Sequence, residues 1–326
     1  MSFKIRPLSI NSVRDATNLS DKVFSLRGIV NDKLAGGIAI DYDKSTERVY
    51  TEFAKNMLHV RPYLRILSSV ILQHRTTSSL RLPSWVPDWS QPVHLGCIIN
   101  RYYRFDPQKL FHAAGATAPR VTVSKSSDTI RMEGIRLNTV SRIIPVMTLL
   151  KTKDENSISV TETSLREMAS EIASLETYPP TGEPFWIAFF RTLTTDRTAF
   201  SPRIDEDYRA KFLSSFIDWK LNESQKLPTE AWAKVSKTIG QIIEYKGMFL
   251  TTQGYLGLSQ EGFQVGDAVC IFLGGEVPFL LRESMSPNGG RFQFLSECYV
   301  HGVMDGEVLS SLDMTGGNHL EPFLID

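Results

Sequence analysis

The sequence predicts an α+β fold in which an N-terminal helical hairpin is followed by a β-barrel or sandwich that a helical insertion splits. The last third, residues 247–307, consists of apolar runs of about five residues between Gly, Pro and Asn turns, which is typical of short strands. Strand-length segments also occupy residues 110–146, whereas residues 151–245 have a helical pattern. The simplest arrangement assembles one β domain from both β blocks.

Composition excludes several classes of protein. With 326 residues, 42% hydrophobic and 22% charged, the chain has the composition of a globular protein. No apolar run approaches the length of a membrane span, and the start lacks a secretory signal. We therefore expect a cytoplasmic protein without a membrane segment. Cys97, Cys270 and Cys298 form no Cys-x-x-Cys pair, so neither a zinc site nor a disulfide framework is indicated. We expect no metal and no cofactor.

Charge is distributed unevenly along the chain. Residues 1–150 hold 21 Lys+Arg against 11 Asp+Glu, and residues 151–326 hold 15 against 25. The two halves could attract each other across an internal interface, or the basic half could meet an acidic partner. We favour the internal interface.

The N-terminal part is predicted to be helical. A short helix ends at Gly28, because glycine tolerates the left-handed geometry of a helix end. A helix capped by Asp43 covers about residues 44–60, with apolar residues three and four positions apart. Pro62 separates it from a second helix over residues 63–73, and these two helices form the hairpin.

A rigid connector follows at residues 81–90. Pro83 and Pro87 each remove a hydrogen-bond donor and favour extended backbone. Trp85 and Trp89 are expected to pin this connector to the body of the protein, since a rigid indole buries much area at little entropic cost.

We divide the chain into four segments. Residues 1–90 are the helical segment with its connector, 91–150 the first β block, 151–246 the helical insertion, and 247–326 the second β block, which completes the β domain. The first β block has candidate strands at 111–115, 120–124, 129–134 and 139–144, and the insertion has candidate helices at 161–176, 184–194, 205–220 and 228–245.

One cluster of polar residues could carry chemistry. Carboxylates beside an imidazole can perform acid and base catalysis, and the candidates are Glu297, His301, Asp305 and Glu307. The alternative is a plain turn, because Asp and Gly favour turn geometry. The sequence has no nucleophile elbow, phosphate loop or dinucleotide-binding motif.

A basic and aromatic region spans residues 55–104, with seven Lys or Arg and the single acid Asp88. Such composition can hold single-stranded nucleic acid, but the charges are scattered, and we favour a solvated face that meets the acidic half or a protein partner. The candidate binding residues are Trp85, Trp89, Arg61, Arg65 and Arg75.

Several segments, taken in chain order, together resemble one protein family. They are Asp21-Lys-Val-Phe-Ser-Leu-Arg-Gly-Ile, Leu82-Pro-Ser-Trp-Val-Pro-Asp-Trp-Ser, Gly254-Tyr-Leu-Gly-Leu, Gly266-Asp-Ala-Val, Pro278-Phe-Leu-Leu-Arg and Tyr299-Val-His-Gly-Val-Met-Asp-Gly-Glu. This text is similar to the part of fungal heterokaryon incompatibility (HET) proteins that follows the HET domain. The segments of the HET domain itself have no counterpart here, so the resemblance implies no catalytic residue.

The resemblance therefore predicts an interaction or regulatory module that binds another protein, or a truncated HET protein without its N-terminal HET core. An alternative from another class is an enzyme of fungal secondary metabolism that holds a small molecule in a cavity of the β domain. Phe272, Phe279, Phe292 and Phe294 would line that cavity, although the same residues are suited to an ordinary core.

Overall fold

The computed structural model describes residues 16–28, 37–60, 64–91, 98, 111–124, 126–144, 146, 150–154, 157–160, 165, 176–197, 236, 238–284, 290–312 and 320–326. Its α-helices are α1 (Asp21–Phe24), α2 (Thr46–Val60), α3 (His74–Thr77), α4 (Phe185–Leu193) and α5 (Glu307–Ser311), with 3₁₀-helices at Ser25–Gly28 and Leu64–Ser69. Its strands are β1 (Val121–Val123), β2 (Ile130–Ile144), β3 (Leu150–Asp154), β4 (Ser157–Val160), β5 (Lys246–Thr251), β6 (Leu256–Gln260), β7 (Ala268–Phe272), β8 (Phe279–Glu283), β9 (Arg291–Val300) and β10 (Glu321–Ile325).

The main sheet closes on itself. Antiparallel pairs run from β2 through β5, β6, β9, β8 and β7, and β7 pairs again with β2. Strand β10 lies between β2 and β9, antiparallel to the first and parallel to the second. Closure leaves these strands without an open edge. The prediction of a mixed α and β fold with a barrel-like sheet is confirmed, and β2, from the first predicted β block, pairs with strands of the second.

Strand β2 differs from its prediction as two short strands. It is continuous over 15 residues, and its register shifts between Arg136 and Asn138 and again between Val140 and Arg142. Such irregularities bend a strand instead of ending it. Gly134 ends the predicted strand 129–134, but it lies inside β2, where a Cβ would overlap main-chain atoms of β7, so glycine here permits close strand approach.

The four phenylalanines proposed to line a cavity pack against other aromatic rings instead. Phe272 and Phe279 stack at 5.3 Å between ring centroids, and Phe279 lies 5.6 Å from Phe294. Phe323 contacts both Phe272 and Phe292. All five side chains are buried in one hydrophobic cluster. They therefore form core, and Phe292 also lines a surface cleft between the 70–88 segment and the barrel.

The predicted helical hairpin is not confirmed. Helix α2 is present, and its apolar stripe is buried. The second helix, predicted over residues 63–73, is instead the 3₁₀-helix Leu64–Ser69 followed after a turn by α3. The cap of α2 also differs, because the Ser45 hydroxyl accepts a hydrogen bond from the Arg48 N–H at 3.3 Å, where Asp43 was expected.

The helical insertion is described only in part. Helix α4 lies within the predicted helix 184–194, and residues 238–243 are helical at the end of the predicted helix 228–245. The hairpin of β3 and β4 lies in a stretch that was expected to be helical. The candidate helix 205–220 and most of 161–176 lie outside the described residues.

Charge pairs connect the basic and acidic halves of the chain. Arg65 binds Glu276, and Arg136 lies 3.7 Å from Glu283 and 3.3 Å from Glu321. These pairs support the internal interface as an explanation of the charge asymmetry. In the described part of the chain, no helix is long and apolar enough to cross a membrane.

Candidate functional site

His301 lies directly after β9, in the turn where this strand leaves the sheet. Its backbone N–H donates to the Leu256 main-chain oxygen at 2.9 Å, and its own main-chain oxygen accepts from the Tyr178 hydroxyl at 3.0 Å. Tyr178 in turn accepts from the Leu256 N–H at 2.9 Å. The side chain of His301 is only 2% exposed. The fold therefore fixes this imidazole by its backbone on both sides.

Each ring nitrogen of His301 has a partner. Nδ1 lies 3.0 Å from the Tyr299 hydroxyl, and Nε2 contacts the Glu183 carboxylate. An ionised carboxylate can only accept, so Nε2 donates to Glu183, and in the neutral ring Nδ1 accepts from Tyr299. This arrangement resembles an acid–base pair in geometry. It is buried, however, and both ring nitrogens are already bonded within the fold.

Glu183 is the centre of this network. It also accepts from the Thr181 hydroxyl at 2.8 Å and from Arg191 Nη1 at 3.1 Å. Burial alone would raise the pKa of Glu183, but the hydrogen bond and charge of His301, with Arg191 and Thr181, bring its pKa down to about 2. The carboxylate is therefore held in its ionised form.

The turn that follows helix α4 binds Arg191 of that helix. Its Nε donates to Asp196 Oδ1 at 2.8 Å, and Asp196 is 1% exposed. Thr195 and Asp196 have φ angles of 49° and 52°, in the left-handed region that a β-branched residue such as threonine rarely adopts. This strained backbone turns the chain back toward helix α4, so that the Asp196 carboxylate binds Arg191 of that helix.

Glu297 lies within β9 and is 1% exposed. Its Oε1 accepts from the Ile98 N–H, and its main-chain oxygen accepts from the Ser259 hydroxyl at 2.9 Å. Burial raises the pKa of Glu297 to about 7, although the Ser68 hydroxyl, the Ile98 N–H and the charges of Lys246 and Arg197 favour the ionised form. At neutral pH this buried carboxyl is therefore near the midpoint between its protonated and ionised forms.

Asp305 and Glu307 do not join His301 in one site. Both are exposed, and Glu307 Oε2 accepts from the Asp305 N–H at 2.7 Å. Gly306 between them has φ 90°, and α5 begins at Glu307. This is the geometry of a turn that starts a helix. Of the four acid–base candidates, the structure therefore brings only Glu297 and His301 into the buried interior.

The candidate binding residues fall into different environments. Trp85 is buried and donates from Nε1 to the Asp128 main-chain oxygen at 2.8 Å, and Trp89 packs edge-on against Tyr50 and Phe53. Both therefore hold the connector to the body of the protein. Arg65 is buried against Glu276, Arg75 lines an open cleft, and Arg61 lies outside the described residues.

The cleft that Arg75 lines has a volume of about 540 Å³. It lies between the 70–88 segment and the barrel, at the end of β8 and the start of β9. Its lining includes neither Glu297 nor His301. Its walls are both apolar and charged, and are formed by Val70, Ile71, His74, Arg75, Ser78, Leu80, Arg81, Leu82, Pro83, Ser84, Val86, Asp88, Ser284, Phe292, Gln293 and Asp326.

Sequence reasoning missed the partners of His301 because they come from distant parts of the chain. Glu183 is 118 residues away, and no short-range pattern connects the two positions. The nearest signal is the turn Tyr178-Pro-Pro-Thr-Gly-Glu, whose Gly182 has φ 74°. Within the described residues, no group of three or more His, Cys, Asp or Glu side chains could hold a metal ion.

Two comparisons with known proteins agree with this fold. Residues 204–314, which include β5 to β9, match the family model of the Het-6 beta-barrel domain. Heterokaryon incompatibility protein 6, OR allele, of Neurospora crassa is 24% identical over 350 aligned positions, which cover 91% of this chain and 50% of that protein. The chain thus spans about half the length of this curated relative. No solved structure matches the chain. The resemblance that the sequence motifs indicated is confirmed, and the chain is similar to heterokaryon incompatibility proteins of fungi.

Proposed function

We propose that this chain acts in the cytoplasm as an interaction or regulatory module of the HET-protein type and binds another protein. The observation that carries this proposal is a group of exposed apolar side chains at one end of the barrel. Ile143, Tyr245 and Val265 are 41%, 42% and 63% exposed. Single exposed apolar residues are ordinary, but several at one end of a rigid sheet favour a docking surface.

The sheet register explains why these residues share one end. Ile143 is next to the last residue of β2, and Tyr245 directly precedes β5. The Glu261 N–H, just after β6, donates to the Tyr245 main-chain oxygen at 3.1 Å. The Gly266 N–H, next to Val265, donates to Val140 of β2 at 2.8 Å. We call Ile143, Tyr245 and Val265 the barrel-end surface.

The acid–base candidates support this proposal indirectly. His301 is bonded at both ring nitrogens within the fold, and Asp305 and Glu307 form a surface turn. Three of the phenylalanines proposed for an enzyme cavity, Phe272, Phe279 and Phe294, pack against each other. Nothing in these contacts favours the enzyme of secondary metabolism, so binding is the function that the described surface supports best.

The test compares wild type with Val265→Asp in capture from a fungal cell extract, followed by reconstitution with the purified partner. We expect one protein to be recovered with wild type and its recovery to fall at least about ten-fold with the variant, because a charge at the centre of an apolar interface is desolvated without a partner. The matched control is Leu324→Asp, because Leu324 is 36% exposed on β10, near the opposite end of the barrel. Equal recovery with Val265→Asp, or recovery of no specific protein, would refute the proposal.

A further inference from the structure

The strongest unassigned feature is Arg75 in the cleft between the 70–88 segment and the barrel. Its Nη2 donates to the Ser84 main-chain oxygen, a neutral acceptor. No carboxylate of the described residues forms an ion pair with it. The nearby Arg282 is satisfied elsewhere, because its Nε and Nη2 each donate to Asp267 at 2.8 Å. Arg75 is therefore a cation in an open cleft to which none of the described carboxylates is bonded.

Such a cation is costly to the fold. Burial and the charge of Arg282 lower the pKa of Arg75 to about 10. A guanidinium taken out of water without an anion loses hydration that one neutral hydrogen bond does not replace. A bound anion would restore the missing interaction. Guanidinium groups also match carboxylates in a two-point geometry.

The other walls of the cleft restrict the class of anion. Val70, Ile71, Leu80, Val86 and Phe292 provide an apolar lining. A cavity of about 540 Å³ is of the size that holds a small organic ligand. The ligand should therefore carry an apolar body in addition to its charged group. A simple inorganic anion has no such body.

Charge in the walls distinguishes a monoanion from a phosphate. His74 and Arg81 line the cleft with Arg75, but so do Asp88 and Asp326. Two carboxylates near the ligand would repel a doubly charged phosphate more strongly than a single carboxylate. The wall is therefore better matched to one negative charge.

We propose that the cleft around Arg75 is a binding site for a small organic carboxylate with an apolar body. Arg75 holds the carboxylate, and the apolar lining encloses the body. The proposal does not depend on the barrel-end surface, because its residues lie elsewhere.

The test uses isothermal titration calorimetry with three probes that share a phenyl body: 4-phenylbutyrate, 4-phenylbutan-1-ol and phenyl phosphate. We expect 4-phenylbutyrate to bind wild type with a Kd below about 1 mM, as a ligand of this size can. The alcohol and the phosphate should each bind at least about ten-fold more weakly. Arg75→Met should weaken 4-phenylbutyrate binding about ten-fold or more.

One further cleft variant and two controls keep the test decisive if Arg75→Met is poorly folded. Leu80→Trp fills the cleft and should abolish binding, whereas Val265→Trp, a similar enlargement on the exposed barrel-end surface, should not. Arg120→Met removes an arginine that is 63% exposed outside the cleft, and should also leave binding unchanged. Absence of saturable binding to wild type, binding unaffected by Arg75→Met or Leu80→Trp, or equal affinity for the alcohol or the phosphate would overturn the proposal.

Discussion

The network around Glu183 and the cleft around Arg75 hold charge in opposite ways. In the network, Glu183 is bonded to His301, Arg191 and Thr181, and Arg191 is bonded to Asp196 as well. In the cleft, Arg75 bonds to one neutral main-chain oxygen. Removing one partner of a bonded network leaves the other charges uncompensated, whereas a charge to which no described carboxylate is bonded can bind an anionic ligand. The sequence offered His301 as a candidate for acid–base chemistry and Arg75 as a candidate binding residue, and the contacts favour Arg75.

The largest effect is expected from Glu183→Ala. This change leaves His301 and Arg191 without their shared carboxylate, and should lower the free energy of unfolding by roughly 3–5 kcal/mol at pH 7. The pKa of Glu183 is lowered from 4.5 to about 2, so its contribution is present above about pH 4.5 and is lost as the pH falls toward 2. Urea unfolding of both proteins at several pH values would measure this.

The control for this prediction is Glu283→Ala. Glu283 is 57% exposed and lies 3.7 Å from Arg136, and such surface pairs contribute less than about 1 kcal/mol. If both alanine variants lose the same stability, the network around Glu183 does not hold the fold as we describe.

Glu297→Gln is expected to change the pH dependence of stability. The pKa of Glu297 is raised from 4.5 to about 7, so its contribution is full below about pH 4.5 and is lost as the pH rises through 7. Wild type should therefore lose on the order of 3 kcal/mol relative to the glutamine variant between these pH values. Urea unfolding at pH 4.5 and pH 7.5 gives the difference, and a constant difference would mean that the folded protein holds an ionised Glu297.

Arg65→Ala should have an intermediate effect. Arg65 binds Glu276 through two nitrogens, with Nε at 2.6 Å, and joins the 3₁₀-helix Leu64–Ser69 to the connection between β7 and β8. We expect a loss of about 2 kcal/mol, since both groups are partly buried and the contact is two-pronged. A double-mutant cycle with Glu276→Gln should give a coupling energy of at least about 1 kcal/mol. Simple additivity of the two changes would show that the pair is not coupled.

Arg75→Met should have the smallest effect on stability. The substitution loses one hydrogen bond to Ser84 but removes a poorly paired cation, and these two changes nearly cancel. We expect the free energy of unfolding to change by less than about 1 kcal/mol, measured by urea unfolding at pH 7. A loss as large as that of Glu183→Ala would assign Arg75 a structural role and remove the contrast between the two regions.

Short-range sequence patterns predicted the elements that neighbouring residues form by themselves. The apolar runs and glycine turns of residues 247–307 indicated the strands of a barrel-like sheet, and the spacing of Tyr50, Phe53 and Met57 indicated helix α2. The continuous strand β2 was not predicted. The sequence ended a predicted strand at Gly134, and only the neighbouring strand β7 shows that this glycine serves close packing inside a continuous strand.

Contacts between distant residues could not be predicted from the sequence. His301 and Glu183 meet because the turn after β9 lies against the loop before α4, and neither position signals the other. Arg75 was predicted as a binding residue from local charge, but whether a carboxylate binds it depends on the whole fold. A charged residue looks the same in the sequence whether or not it forms an ion pair in the fold. Only the three-dimensional structure separates the two cases.

The central claim is that the cleft at Arg75 is open to a ligand and that the network at His301 is closed. A crystal of the wild-type protein soaked with 4-phenylbutyrate tests this claim most directly. We predict electron density for the carboxylate against the Arg75 guanidinium, with the phenyl ring on the apolar wall of the cleft and no ligand density beside His301. An empty cleft at a saturating concentration, or ligand density between Glu183 and His301, would contradict the account.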